Sequence, residues 1–280
     1  MIRLQNVSYE SGRGRVNNLS FHLPNGETAV VLGPQNSGKT GFWQTCVGMQ
    51  PFITGEVRLM GRVMDPFGQR ISAESAQMVG IATQHTTLLD NLTVAANIGL
   101  PLSYHVGLSE REMMRRVTPM LEKFGIRPLA GKFPHEISDT DVKMAMMARA
   151  TILGQKLLVL DEPTAGDIDP ESFMRIVNVI SRFRDEMQEH RQRSGDERRA
   201  EPRALLAMLI LTTSPSLASI RRAACYYLVN GALIPHAKVA EANDPAAVEF
   251  FAGIRKYTDR QSGEISGFYR TIFHSGQNAG

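Results

Sequence analysis

Gly33-Pro34-Gln35-Asn36-Ser37-Gly38-Lys39-Thr40 decides how this chain reads, because it fits the pattern G-x-x-x-x-G-K-[ST]. The apolar run ETAVVLG at 27–33 reads as a strand that feeds straight into it. Residues 39–49 read as a helix ended near Gly48 and Pro51. Each residue type has a physical task. The glycines let backbone N–H groups turn inward around a polyphosphate. Gly38 and Lys39 open a helix whose N-terminus is electropositive. Lys39 reaches the β- and γ-phosphates, and the Thr40 hydroxyl is a Mg²⁺ ligand. A plain glycine turn with a surface lysine would not need a strand before it and a helix after it.

The second half of such a site is LLVLDE at 157–162. An apolar strand ending in two acids puts carboxylates at the carboxyl edge of a sheet, where α/β proteins bind ligands. There Asp161 would face the Mg²⁺ shell and Glu162 would polarise an attacking water.

Outward from these two strings the chain alternates strands and helices. Strands are expected at 2–9, 16–23, 27–33, 156–162 and 205–213, with hairpins at 55–64 and 225–234. Residues 93–133 are helical in tendency, with Met113, Val117, Met120, Leu121 and Phe124 at three and four spacing. Further helices are expected at 139–154 and 171–183, the second followed up to residue 203 by a charged stretch that reads as a solvated helix extension plus loop. The pattern predicts an α/β chain with a mostly parallel sheet covered on both faces. The nucleotide-binding core, with an antiparallel β lobe, would take 1–92 and 150–240; a helical subdomain would take 93–149, and a tail 241–280.

Composition sets the limits. The chain has 280 residues, 42% of them hydrophobic, enough for one large or two modest domains with an ordinary core. Its 31 basic and 28 acidic side chains leave a net charge of +3, too small to make a nucleic acid the main partner. Two cysteines, Cys46 and Cys225, make no disulfide framework and suit a reducing compartment. The start MIRLQNVSYE lacks the apolar core of a secretory signal, and no apolar run reaches membrane-spanning length. The expectation is a soluble chain that meets a membrane through a partner.

Further strings resemble the ATP-binding subunits of ABC transporters over nearly the whole chain. Tyr9 stands where that family places an aromatic on adenine, and Gln84, in IATQHTTLLDNLTV, stands in the loop that touches Mg²⁺ and faces the membrane subunits. PHEIS leads into a helix as the family's signature does, and DEPTAGDIDP resembles the Walker B acids followed by the D-loop. The segment LLDNLTVAANIGLPL, and the C-terminal Asn243-Asp244-Pro245 with AAVEFFAGI, look like the ATPase of MCE-type lipid transporters, the Mla phospholipid system. The resemblance implies a P-loop NTPase fold of the ABC type, ATP and Mg²⁺ as cofactors, and a second ATP-binding subunit. It also implies transmembrane permease subunits, an MCE-type periplasmic protein, and a peripheral place on the cytoplasmic face of the inner membrane. Motion would pass to the membrane helices through the Gln84 loop and the 93–133 helices.

Three departures stand out. The signature position reads Ile137-Ser138-Asp139-Thr140-Asp141, without the family's glycines, and Ser138 with Asp141 predicts a capping box instead. A carboxylate ~5 Å from a phosphate charge at effective ε ≈ 20 opposes it by roughly 3 kcal/mol. Thr213 occupies the place of the switch histidine, and the segment up to Asp169 carries one extra residue. Two readings follow: a transporter ATPase, or a regulatory or structural subunit that binds ATP, hardly hydrolyses it, and pairs with a competent ATPase. A soluble ABC protein without a transporter is a third.

Overall fold

β3 (Glu27–Leu32) buries every residue from Thr28 to Leu32. A strand with no polar face needs cover on both sides, and it has it. Val30 and Leu32 join an apolar cluster beneath the helices, while Ala29 and Val31 join one beneath an antiparallel lobe. β7 (Leu157–Asp161) and β8 (Ala207–Thr212) divide their side chains in the same alternating way. The structure is a computed structural model, which describes residues 1–12, 14–67, 76–84, 88–166, 168–193, 205, 207–214, 216–217, 220 and 223–235.

Among the described residues the main sheet has six strands in the order β10-β9-β3-β8-β7-β6, with β6 (Val79–Thr83), β9 (Ala224–Val229) and β10 (Ala232–Pro235). All pairings are parallel except that of β9 with β10, which turn at Asn230 and Gly231 (φ 48° and 75°). A second sheet, order β2-β1-β4-β5, is antiparallel: β1 (Ile2–Ser11), β2 (Gly14–Leu23), β4 (Thr54–Leu59) and β5 (Arg62–Val63). The expected α/β class with an antiparallel lobe is what the chain adopts. The parallel strands all end on the side where Gly33 and Glu162 follow them, so they aim both motifs at one edge.

β6 had no expectation behind it. Its Gly80 lies against α4 (Asp139–Thr151) so closely that a Cβ would collide with the Ala150 carbonyl oxygen. The helical tract at 93–133 is not one helix. α2 (Val94–Val106) starts on the Thr93 cap and stops at Gly107, whose φ of 65° suits glycine. α3 (Glu110–Lys123) starts on a Ser109–Glu112 capping box and buries Val117 and Leu121, with Phe124 buried just past its end, while Met113 and Met120, the other positions its spacing predicts, are only partly buried. α5 (Pro170–Arg193) runs on past residue 183 into the expected helix extension, but that extension is not all solvated, because Met187, 2% exposed, prolongs its apolar stripe. The C-terminal helix expected from Asn243 lies outside the described residues, as does the rest of the tail.

Candidate functional site

The phosphate-binding string folds into a cradle. The Gly33 N–H donates to the Thr212 carbonyl at 3.2 Å, and the Ser37 N–H to the Pro34 carbonyl at 3.2 Å. Asn36 and Gly38 take left-handed backbone, φ 62° and 96°, which turns successive N–H groups toward one point. A Cβ at Gly33 would collide with the Leu228 carbonyl oxygen and the Ser37 hydroxyl, so the turn needs glycine there. The buried Ser37 Oγ has no hydrogen-bond partner among the described residues. An orphaned hydroxyl, converging N–H groups and the N-terminus of α1 (Lys39–Cys46) fit an anion.

Lys39 turns back into this cradle and is 6% exposed. Its Nζ donates to the carbonyls of Gly33 and Pro34 at 2.8 and 2.9 Å, and lies 3.4 Å from Glu162 Oε1. Burial lowers its pKa, and the charges of Glu162 and Asp161 oppose that shift. Pro34, Gln35 and Asn36 form the exposed outer arc of the loop.

Asp161 closes β7 and is 6% exposed. Burial raises its carboxyl pKa, and the bond from the Trp43 indole works against that rise. Trp43 Nε1 donates to Asp161 Oδ2 at 2.8 Å, and the Thr40 hydroxyl reaches the same oxygen at 3.4 Å. Glu162 has a φ of 52°, a costly conformation for its residue type, and its N–H donates to the Leu211 carbonyl at 2.8 Å. Its Oε2 accepts from the Thr213 N–H at 2.9 Å, the Thr213 hydroxyl at 3.1 Å and the Thr212 hydroxyl at 3.4 Å. Thr213 lacks an imidazole, as its sequence position implied, yet it grips the acid.

Lys39, Thr40, Asp161, Glu162, Gln84 and Thr213 all line one cleft of about 810 Å³. Among the described residues no group of three or more His, Cys, Asp or Glu could hold a metal alone. A hydroxyl, a carboxylate and an amide do fit Mg²⁺, which keeps several waters and takes phosphate oxygens to complete its shell.

Tyr9 is a correction. Its ring is 0% exposed in the lobe core, and its hydroxyl donates to the Gly38 carbonyl at 3.4 Å. A ring without an open face cannot stack on adenine. β1 turns Tyr9 inward, and the residues it brings to the cleft are Glu10, Ser11 and Gly12, none of them aromatic.

Ser138 caps α4, accepting from the Asp141 N–H at 3.2 Å. The expected box closes differently: the Ser138 hydroxyl donates to Asp141 Oδ2 at 2.6 Å, so that carboxylate holds the side chain and not the backbone. Arg175 on α5 meets Asp141 Oδ1 at 2.8 Å. Lys143, one turn along α4, donates to the Ala165 carbonyl and feels the charge of Asp139. Asp139 and Thr140 line a second cavity of about 290 Å³, which shares Asp161, Glu162 and Gln84 with the cleft. Asp169 caps α5, accepting from the Ser172 N–H at 2.9 Å.

Sequence reasoning missed Trp43 and Asn97. Trp43 stands three residues after Thr40, a spacing that puts both on one face of α1. Asn97, 0% exposed, accepts from the Leu89 N–H at 2.7 Å and donates to the carbonyls of Leu89, Leu92 and Thr93. A lone amide inside AANIGL was its signal.

A family model described as ABC transporter matches residues 16–165. The glucose import ATP-binding protein GlcV of Saccharolobus solfataricus is 32% identical over 168 residues, 58% of this chain and 47% of that protein. The cell division ATP-binding protein FtsE of Streptococcus pneumoniae is 28% identical over 175 residues, 62% of this chain and 75% of that protein. The chain thus spans about half the length of the first and three quarters of the second. Among solved structures, the dimeric ATP-binding cassette MJ0796 bound to ADP and Pi shares the fold, at TM-score 0.66 and 20% identity over 83% of this chain and 96% of that one. cbiO1 of Clostridium perfringens, part of the complex cbiONQ, does so at TM-score 0.68 and 20% identity over 86% and 90%.

Proposed function

This chain belongs to the ABC transporter family, and from that premise we propose that it is the ATP-binding subunit of a transporter. MgATP would draw it together with a second ATP-binding subunit, and hydrolysis would part them. The observation that carries the reading is the meeting of Lys39, Thr40, Asp161 and Glu162 in one cleft at the carboxyl edge of a parallel sheet. With nucleotide in the cleft, Lys39 exchanges the carbonyls of Gly33 and Pro34 for phosphate oxygens. Glu162 Oε1, released by Lys39, then accepts from a water. Thr213 keeps hold of Oε2, so the carboxylate stays aimed. Thr40, Asp161 and Gln84 would hold Mg²⁺, which supplies charge neutralisation at the phosphates.

The finer reading concerns what the chain lends its partner. Without glycines at Asp139 and Thr140, the first turn of α4 is a poor clamp for a phosphate held across a dimer. The acids themselves obstruct less than their charge implies, since Arg175 pairs with Asp141 and Lys143 stands near Asp139. Turnover is then weak in a homodimer and restored by a partner whose signature carries the glycines. The regulatory reading, binding without turnover, draws on the same residues.

The partners on this reading are transmembrane permease subunits, with the chain at the cytoplasmic face of the inner membrane. Among the described residues no helix is long and apolar enough to cross a membrane. A lipid cargo of the MCE type rests on LLDNLTVAANIGLPL and the tail sequence.

Calorimetry with purified chain tests the site. MgATP binds the natural chain, and Lys39→Ala removes that binding; equal affinity in both overturns the assignment. ATPase activity that is absent alone and appears with a second ATPase subunit, and is then lost on Glu162→Gln, supports the partner-dependent form.

A further inference from the structure

The chain has a single tryptophan, Trp43, and it is spent against an acid. It is 4% exposed, and it packs in the same apolar cluster as Phe42, Val159 and Leu211. A leucine would fill such a wall without adding a polar atom. A buried indole N–H needs an acceptor, and here the acceptor is Asp161 Oδ2 at 2.8 Å. We infer that Trp43 is a positioning residue that sets the Asp161 carboxylate for the metal carried with the nucleotide. This rests on the nucleotide reading above.

The geometry carries the inference. Trp43 and Thr40 both donate to Oδ2, so Oδ1 remains for a cation. Thr40 is itself expected to turn to the metal, which loosens its longer bond of 3.4 Å to Asp161. The indole has no such second task. Its ring is locked by packing, so its N–H points where the α1 backbone puts it. A carboxylate 6% exposed has little water to replace that donor. Without it the carboxylate would turn about its own side-chain bonds, and each metal ion bound would have to order it again. The nucleotide itself does not need Trp43, because the loop amides and Lys39 hold the phosphates.

The experiment separates metal from nucleotide. ATP binding to the full chain is measured by calorimetry in EDTA, and Mg²⁺ is then titrated at saturating ATP. For Trp43→Phe the EDTA affinity stays within about twofold, while the Mg²⁺ concentration for half-effect rises roughly tenfold, the worth of one hydrogen bond to a charged group. An equal loss in both titrations means packing only and overturns the inference, as does an unmoved Mg²⁺ midpoint. A second measurement needs no core variant. Because Trp43 is the sole indole, its emission in the natural chain changes when Mg²⁺ joins bound ATP, and Asp161→Ala abolishes that change. Unchanged emission overturns the inference even if Trp43→Phe fails to fold. A natural chain that takes up no ATP overturns the nucleotide reading as well, so the two failures are told apart.

Discussion

Two helix N-termini in this molecule offer the same backbone and opposite chemistry. Before α1, Asn36 and Gly38 adopt left-handed backbone, Ser37 Oγ is orphaned, and a lysine folds over the loop. Before α4, Ser138 caps the helix, Asp141 closes on the cap hydroxyl, and Arg175 covers the acid. Every helix start has unsatisfied N–H groups and a partial positive charge. What separates an anion site from a finished cap is whether the chain's own side chains have already satisfied those groups. The first turn of α1 leaves them open, and the first turn of α4 uses them.

Substitutions at the two ends should therefore act in opposite directions. The largest effect is at α1: Lys39→Ala is expected to weaken MgATP binding about a hundredfold or more, since a buried charge-assisted contact to phosphate is lost. Calorimetry reads it, and a loss under threefold would place the phosphates elsewhere. Next is the reverse change at α4. Gly at Asp139 and Thr140, with Gln at Asp141, is expected to raise ATP-driven dimerisation roughly tenfold by light scattering. The same change costs helix stability, ~1 kcal/mol for each glycine. Unaltered dimerisation would show that the closed cap is not the obstacle.

A smaller effect tests the grip on Glu162. Thr213→Val removes one of its donors and keeps the backbone N–H, so turnover with a competent partner should fall about tenfold with MgATP affinity unchanged. A fall in affinity instead would mean that Thr213 touches nucleotide. The smallest is Arg175→Ala, which uncovers Asp141. With the Arg175 side chain 38% exposed, this pair is worth under ~1 kcal/mol to stability, so the melting temperature should hardly move, while dimerisation falls a few-fold as the acid faces phosphate unpaired. Dimerisation that rises would assign Arg175 an obstructing role.

Much of the site was legible because each motif is continuous in the chain. The glycines, the lysine and the threonine of 33–40 dictate a loop through local backbone freedom. LLVLDE announces a buried strand and its acidic end. The contacts that finish the site join residues far apart. Trp43 reaches Asp161 across 118 positions, Thr213 reaches Glu162 across 51, and Arg175 reaches Asp141 across 34. Neither partner in such a pair carries a mark of the other.

Tyr9 shows the limit most plainly. Its place in the motif order pointed to a base, but β1 carries one extra residue between Leu4 and Val7, where three steps along it face two along β2. A shift of one residue exchanges the two faces of a strand. The string thus established the class of fold, the glycine-bearing loop between β3 and α1 and the acids opposite it, since these follow from short-range backbone preference and hydrophobic period. Which rings are buried, which donor steadies Asp161, and which cation covers Asp141 came from packing, because close contact between distant segments depends on where the whole sheet and its helices come to rest.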